Sequence, residues 1–256
     1  MRGLYIKQFV DEGLGNASYL IASEATGRAA VLDPWRDVEP YLKVAEGLGL
    51  RIEWALDTHL HADHVSSGRD LAQAAGADYV LSKDAAASFP FRGVADSEVL
   101  ELGNVSITIL HTPGHTPACM THVIGDAAFV GDTLFMPDGG SARADFPGGD
   151  ARTLYRSIRR VLSLPRETRL FMCHDYGPNQ REIRWETTVG DERDNNIHVQ
   201  DGIGEDAFVA MREARDRTLA MPKLIIPSLQ VNMRGGHMPP SDPAGRLFLK
   251  VPINAL

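Results

Sequence analysis

The feature that most constrains this chain is the run Thr58-His59-Leu60-His61-Ala62-Asp63-His64, where four side chains able to bind a metal fall within six residues. The short apolar run just upstream, 53–56, reads as the end of a strand, so the cluster stands where a strand gives way to a loop. Extended backbone sends His59 and His61 to one side, because side chains alternate with period two. A turn after His61 then brings Asp63 and His64 back towards the same point. Neutral imidazole and carboxylate are the donors that Zn(II) or Fe(II) accept. Three of the nine histidines in one such stretch fit a chance polar loop poorly.

Matching elements follow. His111-Thr112-Pro113-Gly114-His115 closes an alternating segment over 105–110, and Gly131-Asp132-Thr133 follows an apolar run over 127–130. His174-Asp175-Tyr176 follows a last apolar run over 170–173. Each potential ligand stands just past a strand end, where rigid scaffolds present reactive groups on loops. Further strands are expected at 4–10, 17–22, 29–33, 79–81 and 120–124, and helices at 39–48 and 67–75. Asp150 caps a helix through Leu154, Ile158 and Val161 that stops before Pro165. Beyond it, 177–204 reads as polar and irregular, and 205–219 as a helix with Phe208, Met211 and Leu219 inward. Pro222, Pro227, Pro239, Pro240 and Pro243 then stiffen the tail.

At 256 residues, 43% hydrophobic and 23% charged, the chain has material for one large core. No internal repeat or clear linker divides it. The balance of 26 basic to 34 acidic residues gives a net charge of -8, which disfavours nucleic acid and anionic membrane surfaces as partners. A local basic pocket for a small anion remains compatible with it. No segment has the apolar length of a signal peptide or a membrane span. The two cysteines, Cys119 and Cys173, build no disulfide framework, so a cytoplasmic location is expected and both read as small packing residues.

The series HxHxDH, HTPGHT, GD and a late His resembles the metallo-β-lactamase superfamily over roughly residues 3–176. The resemblance implies an α/β (α+β) fold, a four-layer αββα sandwich with a metal site at one edge of the sheets. It implies a single domain, with residues 1–200 as the catalytic part and 201–256 as a C-terminal helix and Pro-rich extension packed upon it. Two branches compete. A binuclear zinc or iron hydrolase of the glyoxalase II type would place His59, His61, His115 and Asp132 around one metal. Asp63, His64, His174 and the bridging Asp132 would hold the other. A persulfide dioxygenase would hold one Fe(II) on His59, His115 and Asp132, with His61, Asp63, His64 and His174 around them.

Ser141-Ala142-Arg143-Ala144-Asp145-Phe146, His174-Asp175-Tyr176 and Val231-Asn232-Met233-Arg234-Gly235 are similar to the dioxygenases. The expected reaction is therefore oxidation of glutathione persulfide, or a similar small persulfide, by O2 to sulfite and free thiol. Two histidines and one carboxylate on one face of Fe(II) leave open positions for sulfur and O2 together. Arg143 and Arg234 are expected to receive a substrate carboxylate, since a guanidinium matches its geometry, and Tyr176 to contact the thiol or peptide part. His122, His198 and His237 lack motif context and are read as non-ligands. A homodimer is compatible with the sequence. A non-catalytic metal-containing persulfide carrier or sensor is the third reading.

Overall fold

The computed structural model describes residues 3–251. Its first sheet runs β1 (Leu4–Asp11), β2 (Asn16–Ser23), β3 (Arg28–Leu32), β4 (Arg51–Leu56), β5 (Asp78–Ser82) and β6 (Arg92–Val94), side by side in chain order. The first three strands are antiparallel and the rest parallel. Parallel neighbours need a crossover, and α1 (Glu39–Leu48) and α2 (Gly68–Ala75) supply two of them. The second sheet contains β7 (Val99–Leu102), β8 (Val105–His111), β9 (Met120–Ile124), β10 (Ala127–Phe129), β11 (Arg169–Phe171) and β12 (Glu186–Thr188), in the order β12-β11-β10-β9-β8-β7. Its one parallel pair, β10 and β11, is bridged by α3 (Ala151–Val161).

Alternation along the strands creates three apolar layers. Tyr19, Ile21 and Leu32 of the first sheet meet Ile107, Ile109 and Phe129 of the second in the central core. Their odd-even partners Leu20, Ala22 and Val31 face outward, onto Tyr41 and Ala45 of α1 and Leu71 of α2. On the far side, Ala128, Leu170 and Met172 pack against Leu154, Ile158 and Val161 of α3 and Phe208 of α5 (Glu205–Asp216). Three cores between four layers make the αββα sandwich expected from the sequence. No helix among the described residues is long and apolar enough to cross a membrane.

The structure corrects several local expectations. The stretch 177–204 is not wholly irregular, because it carries β12 and α4 (Val189–Asn195), whose first turn is capped by Thr188 accepting from the Asp191 N–H. The Pro-rich tail contains a further helix, α6 (Ile225–Asn232). α5 ends at Asp216, and Leu219, expected inward, is 40% exposed. Phe208 is fully buried as expected, and Met211 is half-buried against the same core.

Candidate metal centre

Five strand ends open on the same edge of the sandwich. β3 leads to Asp33, β4 to 57–64, β8 to His115, β10 to Asp132 and β11 to His174. The two sheets are tied at this edge by the Met120 N–H, which donates to the Thr58 carbonyl at 2.8 Å. Two glycines permit the approach. Gly131 has φ +55, and a Cβ there would lie 2.6 Å from Thr58 Oγ1; Gly114 has φ +133, and a Cβ would lie 2.3 Å from the Leu154 backbone.

The histidines converge. His59 Nε2 and His115 Nε2 lie 3.8 and 3.7 Å from Asp132 Oδ2, and the three donor atoms are mutually within 4.8 Å. Donors about 2.1 Å from one ion stand roughly 3–3.4 Å apart, so a small inward shift closes a three-ligand site. The protein also decides which ring nitrogen is free. The one hydroxyl proton of Thr58 goes to Asp33, at 3.0 Å, so its contact to His59 Nδ1 at 3.0 Å has the ring as donor. His115 Nδ1 donates to the Arg143 carbonyl at 2.8 Å. In both rings Nε2 therefore keeps its lone pair for a metal. This donor set fits a divalent cation of the Zn(II) or Fe(II) kind.

The neighbouring residues form a surrounding network. Asp33, in a left-handed conformation at φ 49 and buried, accepts from the Thr58 N–H at 2.7 Å, from His61 Nε2 at 2.9 Å and from the Cys173 thiol at 3.1 Å. Burial disfavours its charge, but the charge and hydrogen bond of His61 outweigh that and hold the carboxyl below the usual range. For His61 burial is likewise overcome, chiefly by Asp33, and the imidazole is pushed up to about 9. His174 Nδ1 donates to the Gly15 carbonyl, while Nε2 lies 3.2 Å from Asp63 and 3.6 Å from Asp132. Those two carboxylates overcome its burial and push it up to about 10. His59, by contrast, is held well below the usual histidine value by burial and by the charges of His61 and His115. Asp63, against His174 and His64, is held below its usual range despite burial.

Asp33 was read from sequence only as the end of a strand. The signal that marks it is the one the candidate ligands share, a side chain able to bind a metal or proton just past a strand end. Cys173 likewise does more than pack, since its thiol donates to Asp33.

The triad forms the floor of a cleft of about 310 Å3. Phe135, Phe146 and Tyr176 wall it, with Arg143, Arg212 and Arg215 at its basic side. Tyr176 stacks on His174 at 5.9 Å and meets Phe135 edge-on at 5.5 Å. Arg143 lines the cleft, but its guanidinium already donates to Asp145 at 2.6 and 2.8 Å and to the Ala220 carbonyl at 2.9 Å. Arg234 is not among the cleft-lining residues; it sits past the end of α6 and donates to the Gln230 carbonyl one turn back. Arg212 and Arg215, on α5, were not anticipated. Of the histidines read as non-ligands, His122 is buried within β9, His198 contacts Ser141, and His237 lies 3.4 Å from Asp70.

A profile of the Metallo-beta-lactamase superfamily matches residues 11–174. The chain is 44% identical to a probable metallo-hydrolase of Burkholderia pseudomallei, over 98% of this chain and 99% of that protein. It is 30% identical to the mitochondrial persulfide dioxygenase ETHE1 of Bos taurus, over 88% of this chain and 86% of that one. It spans 65% of the length of three bacterial beta-lactamase hydrolase-like proteins that it matches at 41–43% identity. Among solved structures it resembles ETHE1 from Myxococcus xanthus, with a TM-score of 0.83 and 32% identity over 91% of this chain and 100% of that one. Fold, strand-end ligands and matched segment agree: the chain belongs to the metallo-β-lactamase superfamily.

Proposed function

We propose that this protein is an iron-dependent dioxygenase that converts glutathione persulfide, or a similar small persulfide, with O2 and water to free thiol and sulfite. The observation that carries this reading is the convergence of His59 Nε2, His115 Nε2 and Asp132 Oδ2 on the floor of one cleft, with the remaining side open. His59, His115 and Asp132 would hold Fe(II), which would supply the redox chemistry that activates O2 towards a bound persulfide. The likeness to two ETHE1 proteins supports the same branch.

The chain's own residues do the rest. Thr58 and the Arg143 carbonyl fix the tautomers and ring planes of His59 and His115. His61 and His174 hold protons towards Asp33 and towards Asp63 and Asp132, which balances the buried carboxylates around the triad. Phe135, Phe146 and Tyr176 exclude water from the sulfur, and Arg215 supplies a cation for a substrate carboxylate.

One observation favours a second reading, a binuclear hydrolase. His61 Nδ1, His64 Nε2 and Asp132 Oδ1 are buried without a hydrogen-bond partner among the described residues, as ligands shared out between two metals would be. Metal analysis of anaerobically purified protein separates the two. One iron per chain is expected; two zinc ions per chain, with activity that follows zinc, would establish the hydrolase.

A further inference from the structure

The loop 140–144 lies outside every helix and strand, yet it carries the carbonyl that orients His115. No strand ladder holds it. Apart from turn bonds between Gly140 and Phe135 and Met136, its ties run to the C-terminal part of the chain, beyond the segment that the family profile matches. Arg212 Nη1 donates to the Ser141 carbonyl at 3.2 Å, and the Ala144 N–H donates to Asp216 Oδ2 at 2.9 Å. These two bonds bracket Arg143. Arg212 and Asp216 are joined to each other, one turn apart on α5, at 2.6 and 2.9 Å, and both are buried. On the other flank, Asn196 Nδ2 donates to the Gly140 carbonyl at 3.1 Å and His198 Nδ1 accepts from the Ser141 N–H at 3.0 Å.

A buried ion pair is costly to desolvate, and apolar residues of similar volume stabilise a fold as well or better. The pair at Arg212 and Asp216 spends its remaining donor and acceptor on one loop. We infer that Arg212 and Asp216 are positioning residues for the metal ligand His115, acting through the Arg143 carbonyl they hold in place. The inference rests on His115 as a ligand, and applies whether the site holds iron or zinc.

The test is titration of the metal-free full-length protein with Co(II), followed by its visible ligand-field spectrum. The double variant Arg212→Met/Asp216→Leu removes the brace without leaving a lone buried charge. It is expected to bind Co(II) about 10–100-fold more weakly, as losing an outer partner of a metal-bound histidine typically does, and with an altered spectrum. Arg212→Lys keeps the charge but cannot reach both partners, and should fall between. Arg152→Met breaks a different tie on α5, to Glu205 and Asp206, and should leave Co(II) affinity unchanged. A double variant that melts earlier yet binds Co(II) with the original affinity and spectrum would overturn the inference, as would equal weakening by Arg152→Met. His115→Ala should lose Co(II) most. Unchanged binding in that variant would instead overturn the ligand assignment itself, and the brace with it.

Discussion

His122 sits in β9, paired with Ile109 and Phe129, which both face the central core. Neither of its ring nitrogens has a hydrogen-bond partner among the described residues, and burial lowers its pKa to about 4. The folded ring stays neutral, while the unfolded one binds a proton below about 6.5, so this residue costs stability as pH falls from 6.5 to 4. His122→Leu should therefore gain about 3 kcal/mol more at pH 4 than at pH 7.5, read by denaturant unfolding. A variant that tracks the original chain at both pH values would refute the assignment. Glu192 of α4 works in the opposite direction, since burial pushes its carboxyl up to about 9 and it stays protonated beside Asn196. Unfolded, it ionises above about 4.5, so stability is lost as pH rises through 9. Glu192→Gln does not titrate and should be more stable by up to about 3 kcal/mol at pH 7, with the gain shrinking towards pH 4.5. In the centre itself, His174→Ala is expected to keep close to one iron and to lose about 10–100-fold in activity. His59→Ala and Asp132→Ala should lose iron altogether, and iron loss in all three alike would place His174 among the ligands.

At the scale of elements, α3 and the loop before His115 are built against each other. Asp150 caps α3 through the Thr153 N–H at 2.7 Å, and its own N–H donates to the Gly114 carbonyl at 2.9 Å. Gly114→Ala would drive a methyl group into Leu154 while straining a positive φ, at a cost of roughly 2–4 kcal/mol. Because Gly114 adjoins His115, the variant should also lower metal affinity, measurable in the same Co(II) titration; an unchanged affinity would show that the loop adjusts independently of the helix. The four strands that lead to 57–64, His115, Asp132 and His174 were legible because each pairs an apolar run or alternation with a rare chemical group. β6, β7 and β12 were not, since three or four residues carry too little periodicity to register. α6 was hidden by Pro227, which reads as a breaker but stands in the first turn, where its missing N–H has no intrahelical role. The basic side of the cleft escaped notice for another reason. Arg212 and Arg215 come from a helix packed on the far layer, and only tertiary contact brings them to a site announced at strand ends.

Taken as a whole, the molecule is a sandwich whose apolar layers leave one sheet edge to carry all the chemistry. A net charge of -8 coexists with three arginines lining the cleft, two of them, Arg143 and Arg212, already paired with Asp145 and Asp216. The C-terminal residues close that cleft and brace its loop, while the segment 11–174 supplies the proposed ligands. In the proposed function these parts meet at the edge site, where persulfide sulfur is joined to O2. Oxygen uptake by the iron-loaded protein with glutathione persulfide measures it directly. One O2 is expected to be consumed for each sulfite formed, with the activity absent in Asp132→Ala. Hydrolysis of a glutathione thioester, with no oxygen uptake on the persulfide at full iron loading, would contradict it.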